Sequence, residues 1–338
     1  MAGNRQHHVW QLLQRGFGEK RGKDHHIWTY MKGVAPKRTV TRLFGFEKHF
    51  YGDKGSLADE VITDFENRMQ SEVQEFRNLP HGSEIDSKTI ASLIGHLETR
   101  TSFLRKDSSM RLQRLVGGWV KSSKSAEKLR KAMVSYLEDN PAELEKFFGK
   151  SFVPPDRREH YKSLVIWAIG KMPDDDIVRS MEGGIDKIFA ISERFPDIIR
   201  QAQNEILSRS LDEEFRTQSH LDRRYHIFRS NLEKFILPDT TLAFVKKEGA
   251  SPFSQKSDKI ECVILPISST VAIIGGSSDR QDYTVKTMNR ILAGCAFEAF
   301  LAEERCQQFQ SLTKRIGKYA RLLSDNELRK LANFTYQL

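Results

Sequence analysis

Glu261-Cys262-Val263-Ile264-Leu265-Pro266-Ile267-Ser268-Ser269-Thr270-Val271-Ala272-Ile273-Ile274 is the stretch that decides the fold. Its two apolar, β-branched runs, 261–265 and 270–274, are separated by a short Pro/Ser segment. Gly275-Gly276-Ser277-Ser278 stops the second run, which is the pattern of neighbouring strands. Upstream, Lys234-Phe235-Ile236-Leu237 and Leu242-Ala243-Phe244-Val245 read as another strand pair. Near the other end of the chain, His26-Ile27-Trp28-Thr29-Tyr30-Met31 and Arg38-Thr39-Val40-Thr41-Arg42-Leu43 flank Lys32-Gly33-Val34-Ala35-Pro36-Lys37 and read as a hairpin. Isolated hairpins are only marginally stable. The N-terminal strands are therefore expected to join the C-terminal ones in one small antiparallel or mixed sheet.

Between them the period changes. Leu57, Val61, Phe65, Met69, Val73 and Phe76 recur at spacings of four and three after Ser56, a plausible N-cap, until Pro80-His81-Gly82 ends the run. A second helix begins after Asp86 with Ile90, Leu93, Ile94 and Leu97, and helical spacing continues through Tyr136 and Leu137. Further helices are expected at about 157–170, 174–193, 196–230, 284–310 and 324–335, with a long mobile loop at 248–258. The class is α+β, with a large helical insertion on the sheet. Residues 1–55 form its β-rich start, 56–232 the helical middle, and 233–338 the strands and helices that complete the same domain.

Composition narrows the function classes. The 338 residues carry a formal net charge of +9, and no apolar run is long enough to span a membrane. Three scattered cysteines, Cys262, Cys295 and Cys306, supply neither a disulfide framework nor a zinc cage, which points to a reducing cytoplasm. Cys295, between Gly294 and Ala296 on an apolar helix face, reads as core. The charge is segregated: residues 1–54 carry +7, 100–131 carry +8 and 307–331 carry +4, leaving −10 for the rest. Within 100–131, Leu112, Leu115, Val116 and Trp119 form a helical apolar stripe that places Arg111, Arg114 and Lys121 on the wet side. With Arg105 they make a candidate nucleic-acid face, because neutralising phosphates releases counterions. Solvated surface charge explains the same residues without a ligand.

Candidate chemistry is dispersed. His7 and His8 offer imidazoles for proton transfer or metal ligation, although neighbouring strand residues point to opposite faces, so at most one serves a given site. Arg100, followed by Thr101, suits a phosphate or carboxylate clamp, or equally an ion pair with Glu66. Asp239, after Ile236-Leu237-Pro238, offers a base or a ligand for a divalent metal ion, or else an Asx turn or cap. The phosphate-loop, dinucleotide, zincin, hydrolase-elbow and Cys-x-x-Cys signatures are absent from the sequence. Asp174-Asp175-Asp176 reads as a helix N-terminus.

In order and spacing, Gln6-His7-His8-Val9-Trp10 through Arg15-Gly16-Phe17, Phe50-Tyr51, Arg100-Thr101, Phe235 through Asp239, Leu265-Pro266-Ile267-Ser268 and Asn289 resemble the bacterial family designated domain of unknown function 4238. Trp10 and Ser102 stand where that pattern has proline. The resemblance implies no activity; it implies that His7, Arg100, Thr101 and Asp239 are motif residues able to converge. Three functions stay open: a nuclease of a bacterial defence or toxin system acting on RNA or DNA, a non-catalytic nucleic-acid-binding or sensor protein, and an enzyme on a small anionic metabolite. Oligomeric state is not legible.

Overall fold

The computed structural model describes residues 5–111, 125–150, 158–179, 194–208, 214–254, 258–276 and 283–322. Helices and antiparallel sheets combine in an α+β fold that divides into two compact units. The first draws on Met1–Ser108 and Asp197–Leu322, and the second includes Ser109–Pro196.

The chain begins with β1 (Arg5–His7), α1 (Gln11–Arg15), β2 (Glu19–Arg21), β3 (Asp24–Met31), β4 (Lys37–Val40) and β5 (Phe46–Lys48). Then come α2 (Leu57–Asn78), the short β6 (Glu84–Ile85) and α3 (Ser87–Thr99). The second unit holds α4 (Ala126–Asp139), α5 (Pro141–Lys150) and α6 (Arg158–Lys171). After α7 (Phe195–Ser208) and α8 (Glu214–Leu221) the chain runs through β7 (Arg224–Arg229), β8 (Leu237–Pro238), β9 (Ala243–Lys246), β10 (Gly249–Ser251), β11 (Ile260–Pro266) and β12 (Val271–Gly276). It continues with α9 (Val285–Cys295), β13 (Ala299–Ala302) and α10 (Gln307–Leu312).

Local sequence sets the helix starts. Ser56 Oγ accepts the Asp59 N–H at 3.4 Å to open α2, and the Asp86 carboxylate accepts the Thr89 N–H at 2.8 Å to open α3. Along α2, Ile62, Phe65, Met69, Val73 and Phe76 are buried, and along α3 Ile90, Leu93, Ile94 and Leu97. Each set is one stripe at helical period, facing a core shared with the sheets except at Ile62, which packs in a smaller cluster with Phe50, Tyr51, Ala58 and Leu207. In the second unit, Ala126, Leu129, Ile169 and Ile177 make a separate small core.

Among the described residues, three sheets stand where one is expected. The largest runs β10-β9-β11-β12-β7-β6, antiparallel throughout, and the predicted 261–265/270–274 pair lies at its centre. A second runs β2-β3-β13-β8, with β4 on the other edge of β3, and β1 pairs with β5 alone. N-terminal and C-terminal strands do meet, but only in the second sheet, through β3 and β13.

Several elements differ from the periodicity reading. The helix expected over 284–310 stops at Cys295 and gives way to β13. The Asp239 carboxylate takes the N–H groups of Phe297, Glu298 and Ala299, the donors a continuing helix would have bonded internally. The helix expected to reach residue 230 yields to β7, where Tyr225 and Ile227 are buried at period two against β12. The 234–237 and 242–245 runs are not a hairpin: β8 pairs with β13, and β9 pairs with β10 and β11. The 248–258 loop contains β10. Residues 174–179 are helical, whereas 180–193 and the helix expected at 324–335 lie outside the described residues, as do Arg114 and Lys121. Among the described residues no helix is long and apolar enough to cross a membrane.

Candidate functional site

The N-terminal strand is held in place by a close backbone contact. The Gly45 carbonyl accepts the His8 and Val9 N–H groups at 2.8 and 3.2 Å, and a Cβ at Gly45 would lie 2.7 Å from Val9 Cβ. With φ at +61°, that position favours glycine on both counts. Gln6 then bridges inward: its Oε1 accepts the Tyr51 N–H at 2.6 Å and its Nε2 donates to Asp59 at 3.0 Å.

Arg100, at the C-terminal end of α3, is the centre of what this strand delivers. Its side chain is 1% exposed and every nitrogen is engaged within the protein. Nε donates to Tyr51 Oη at 2.9 Å, Nη1 to Glu66 and to His96 Nε2, the latter at 2.7 Å, and Nη2 to the His7 carbonyl. Tyr51 Oη in turn donates to the same His7 carbonyl at 3.1 Å. Burial works against the guanidinium's charge, but Tyr51 and Glu66 outweigh it and raise its pKa. Burial likewise lifts the Tyr51 hydroxyl to about 12, keeping it a neutral donor. The Glu66 alternative is thus the one observed, and Arg100 has no free fork for a phosphate.

Neighbouring candidates are similarly committed. Thr101 Oγ1 accepts the Leu104 N–H at 3.3 Å, an N-cap for the helical segment 102–111. Arg105 lies 3.5 Å from the Phe50 ring centroid and donates to Gln203, Asn204 and the Phe50 carbonyl at 2.6, 3.0 and 2.7 Å. Its burial brings it down to about 10. Arg111 is half-buried, in the second unit. Asp239 accepts Phe297, Glu298 and Ala299 N–H groups at 2.7, 2.8 and 3.0 Å, so both oxygens hold the helix-to-strand corner between α9 and β13. It reaches the Arg100 region only through its loop, where Phe297 packs against Phe103 and Lys106 pairs with Glu298 at 2.8 Å. Among the described residues no group of three or more His, Cys, Asp or Glu side chains is placed to hold a metal ion.

The two histidines part company. His7 Nδ1 faces the Phe44 carbonyl at 3.0 Å and Nε2 faces Gln11 Nε2 at 2.8 Å, partners that fit a neutral ring with its proton on Nδ1. His8 is buried against Phe50, and its Nδ1 has no hydrogen-bond partner among the described residues. Burial first, then Arg100, His7, Lys106 and Arg105, brings it down to about 3. Burial and Arg100 also hold His96 well below its usual value.

These shifts give a pH dependence with a definite sign. Unfolding returns His8 and His96 to the ordinary 6.5, so between about pH 6.5 and 3 the unfolded chain takes up protons that the folded chain does not. Their stabilisation is complete above 6.5 and is lost as pH falls. Asp239 and Glu66 act oppositely: burial raises both carboxyls, that of Asp239 to about 6, so their contribution is present below the unfolded carboxyl values and is lost as pH rises through the folded ones. His8→Gln removes one of the contributions lost on acidification, so its melting temperature is expected to fall less between pH 7 and pH 4 than that of the parent. An equal or larger fall in His8→Gln would contradict this assignment.

Sequence reasoning passed over Trp28. The half-buried ring lies on β3 directly opposite Arg38 of β4, and the Arg305 guanidinium is 5.8 Å from its centroid. Opposed residues of an antiparallel pair share a face. Lys20 and Lys23 flank the β2–β3 turn, and Lys32 and Lys37 the β3–β4 turn, all exposed and without an ion pair among the described residues. Glu19 takes Arg21 and Arg38 at 3.0 and 2.7 Å, and Asp24 takes Arg42 at 3.2 Å. The signal was the +7 charge of residues 1–54 with a tryptophan inside it. Comparison with protein-family models, with curated proteins and with solved structures gave no match for this chain.

Proposed function

We propose that the protein binds single-stranded nucleic acid across β2, β3 and β4, with Trp28 as a stacking platform and the surrounding cations neutralising phosphates. The supporting observation is Trp28 itself, half-buried on a cationic sheet between Arg38 and Arg305. A base gains about 1–3 kcal/mol by stacking on an aromatic side chain, and Arg38 across from Trp28, with Lys23 and Lys32 in the turns at the two ends of β3, adds sequence-independent, salt-sensitive affinity, whereas Lys20 and Lys37, opposite His25 and Thr29, lie on the reverse face. Binding is favoured over cleavage because Arg100, Thr101 and Asp239 are occupied in holding the fold. The resemblance to the domain of unknown function 4238 family belongs to this proposal, with its His7, Arg100 and Thr101 in one cluster. So does a cytoplasmic location, which the three free cysteines support.

A labelled uridylate 12-mer tests it by fluorescence anisotropy. Trp28→Ala is expected to weaken binding roughly tenfold, and replacing Lys23 and Lys32 by alanine to flatten the salt slope by about 1.4, at about 0.7 per phosphate contact on a single strand. Unchanged affinity in both variants would remove this surface from consideration. A second reading, a nuclease of a bacterial defence or toxin system, needs an accessible base, and His8, buried beside Arg105 and Lys106 and brought down to about 3, is a weak one with its unpartnered Nδ1 shielded from solvent. Cleavage of the same 12-mer that disappears in His8→Ala would move the assignment there.

A further inference from the structure

A cavity of about 820 Å³ lies between α2, α3 and α8, within the size range of small-ligand sites. Its polar rim is built from three elements. Arg68 comes from α2, Lys88 and Ser92 from α3, and Thr217 from α8. Arg68 and Lys88 are exposed and have no ion pair among the described residues, so two cations face one cavity without a counter-charge bound to them. Glu72 is the single acid on the rim among the described residues. Cation and hydroxyl donors converging on one space are the complement of a small oxyanion, and one carboxylate beside them suits a hydroxyl or amine donor on the same ligand.

The floor is already formed. Phe65 lines the cavity and lies stacked on His96 with ring centroids 4.1 Å apart, and His96 Nε2 accepts from Arg100 at 2.7 Å. The buried Arg100 network therefore fixes the floor before any ligand arrives, which reduces the ordering that binding would otherwise require. We infer that this cavity binds a free small phosphate ester, with Arg68 and Lys88 holding the phosphate and Glu72 a hydroxyl or amine of the remainder.

Isothermal titration of the full chain with inorganic phosphate, pyrophosphate and AMP tests the inference, with adenosine as the uncharged control. AMP is expected to bind one to one and adenosine not to bind. Arg68→Ala and Lys88→Ala are each expected to weaken AMP at least tenfold, while Glu72→Gln, which removes a like charge, strengthens inorganic phosphate a few-fold. Both cation variants change exposed side chains, and a melting curve identical to the parent's shows that they fold. Failure of all three anions to bind at millimolar concentration would overturn the assignment. So would equal affinity for adenosine, unchanged AMP affinity in both Arg68→Ala and Lys88→Ala, or displacement of AMP by the uridylate 12-mer, which would make a nucleic-acid chain the ligand. Trp28→Ala leaves AMP binding unaltered, so this site and the sheet surface stand or fall separately.

Discussion

Arg100→Ala is expected to destabilise the first unit by about 3–5 kcal/mol, the usual consequence of removing one partner from a buried ion pair. The loss is not confined to the pair. Without the guanidinium, Glu66 keeps a partly buried carboxylate with no counter-ion, and His96 Nε2, Tyr51 Oη and the His7 carbonyl each lose a donor. Arg100→Lys is expected to recover little, because one ammonium cannot serve acceptors spread around a planar fork. Glu66→Gln should be milder, since an amide oxygen still accepts from Nη1 and the remaining bonds persist. Calorimetric unfolding of the three variants checks the ranking. A fully stable Arg100→Ala protein with altered ligand binding would return Arg100 to a ligand-holding role.

Asp239→Ala is the second large effect, on the order of 3–5 kcal/mol. Three backbone N–H groups lose their acceptor together, and leaving a buried donor unsatisfied costs about 1–3 kcal/mol each. Asp239→Asn should fall between, because one amide oxygen can still serve Glu298 and Ala299 while the Phe297 N–H meets an NH₂. The same substitutions separate fold from chemistry. Melting curves unchanged in both, with activity lost, would make Asp239 a functional carboxylate; a large drop in both makes it the residue that ends α9 and starts β13.

What the sequence disclosed depended on how local each cause was. The α2 and α3 helices, the 261–265/270–274 strand pair and the β3–β4 hairpin all follow from periodicity within a dozen residues and a cap or turn at each end. Strand β13 does not. Ala296-Phe297-Glu298-Ala299-Phe300-Leu301-Ala302 carries Ala, Glu and Leu that suit a helix, and what diverts it lies far off in sequence: a carboxylate some sixty residues upstream and the β3 and β8 strands it pairs with. The candidate site divides the same way. Arg100 and Glu66 were visible as possible partners because each lies on a clear helix, whereas the Tyr51 and His7 contributions arise from a loop and a strand brought together by Gly45 and Gln6. Arg105 read as a phosphate cation because charge was visible and Phe50, Gln203 and Asn204 were not. Trp28 was legible as a strand residue, but its setting between Arg38 and Arg305 required the pairing of β3 with both β4 and β13.

That pairing also has a history in time. The Tyr30 hydroxyl donates to the Glu304 carbonyl across 274 residues of chain, and β13 adjoins β3 just before it. A ribosome adding about 5–20 residues per second leaves β3 waiting roughly 14–55 s for the strand that covers this edge. For that interval an apolar strand edge is open to the nascent chains of neighbouring ribosomes. Lys20, Lys23, Lys32 and Lys37 stand around both of its ends, and like charges on two copies repel. These lysines, of which Lys23 and Lys32 are assigned to phosphate contact in the finished protein, are during synthesis the guard that keeps β3 for its own C-terminal partner.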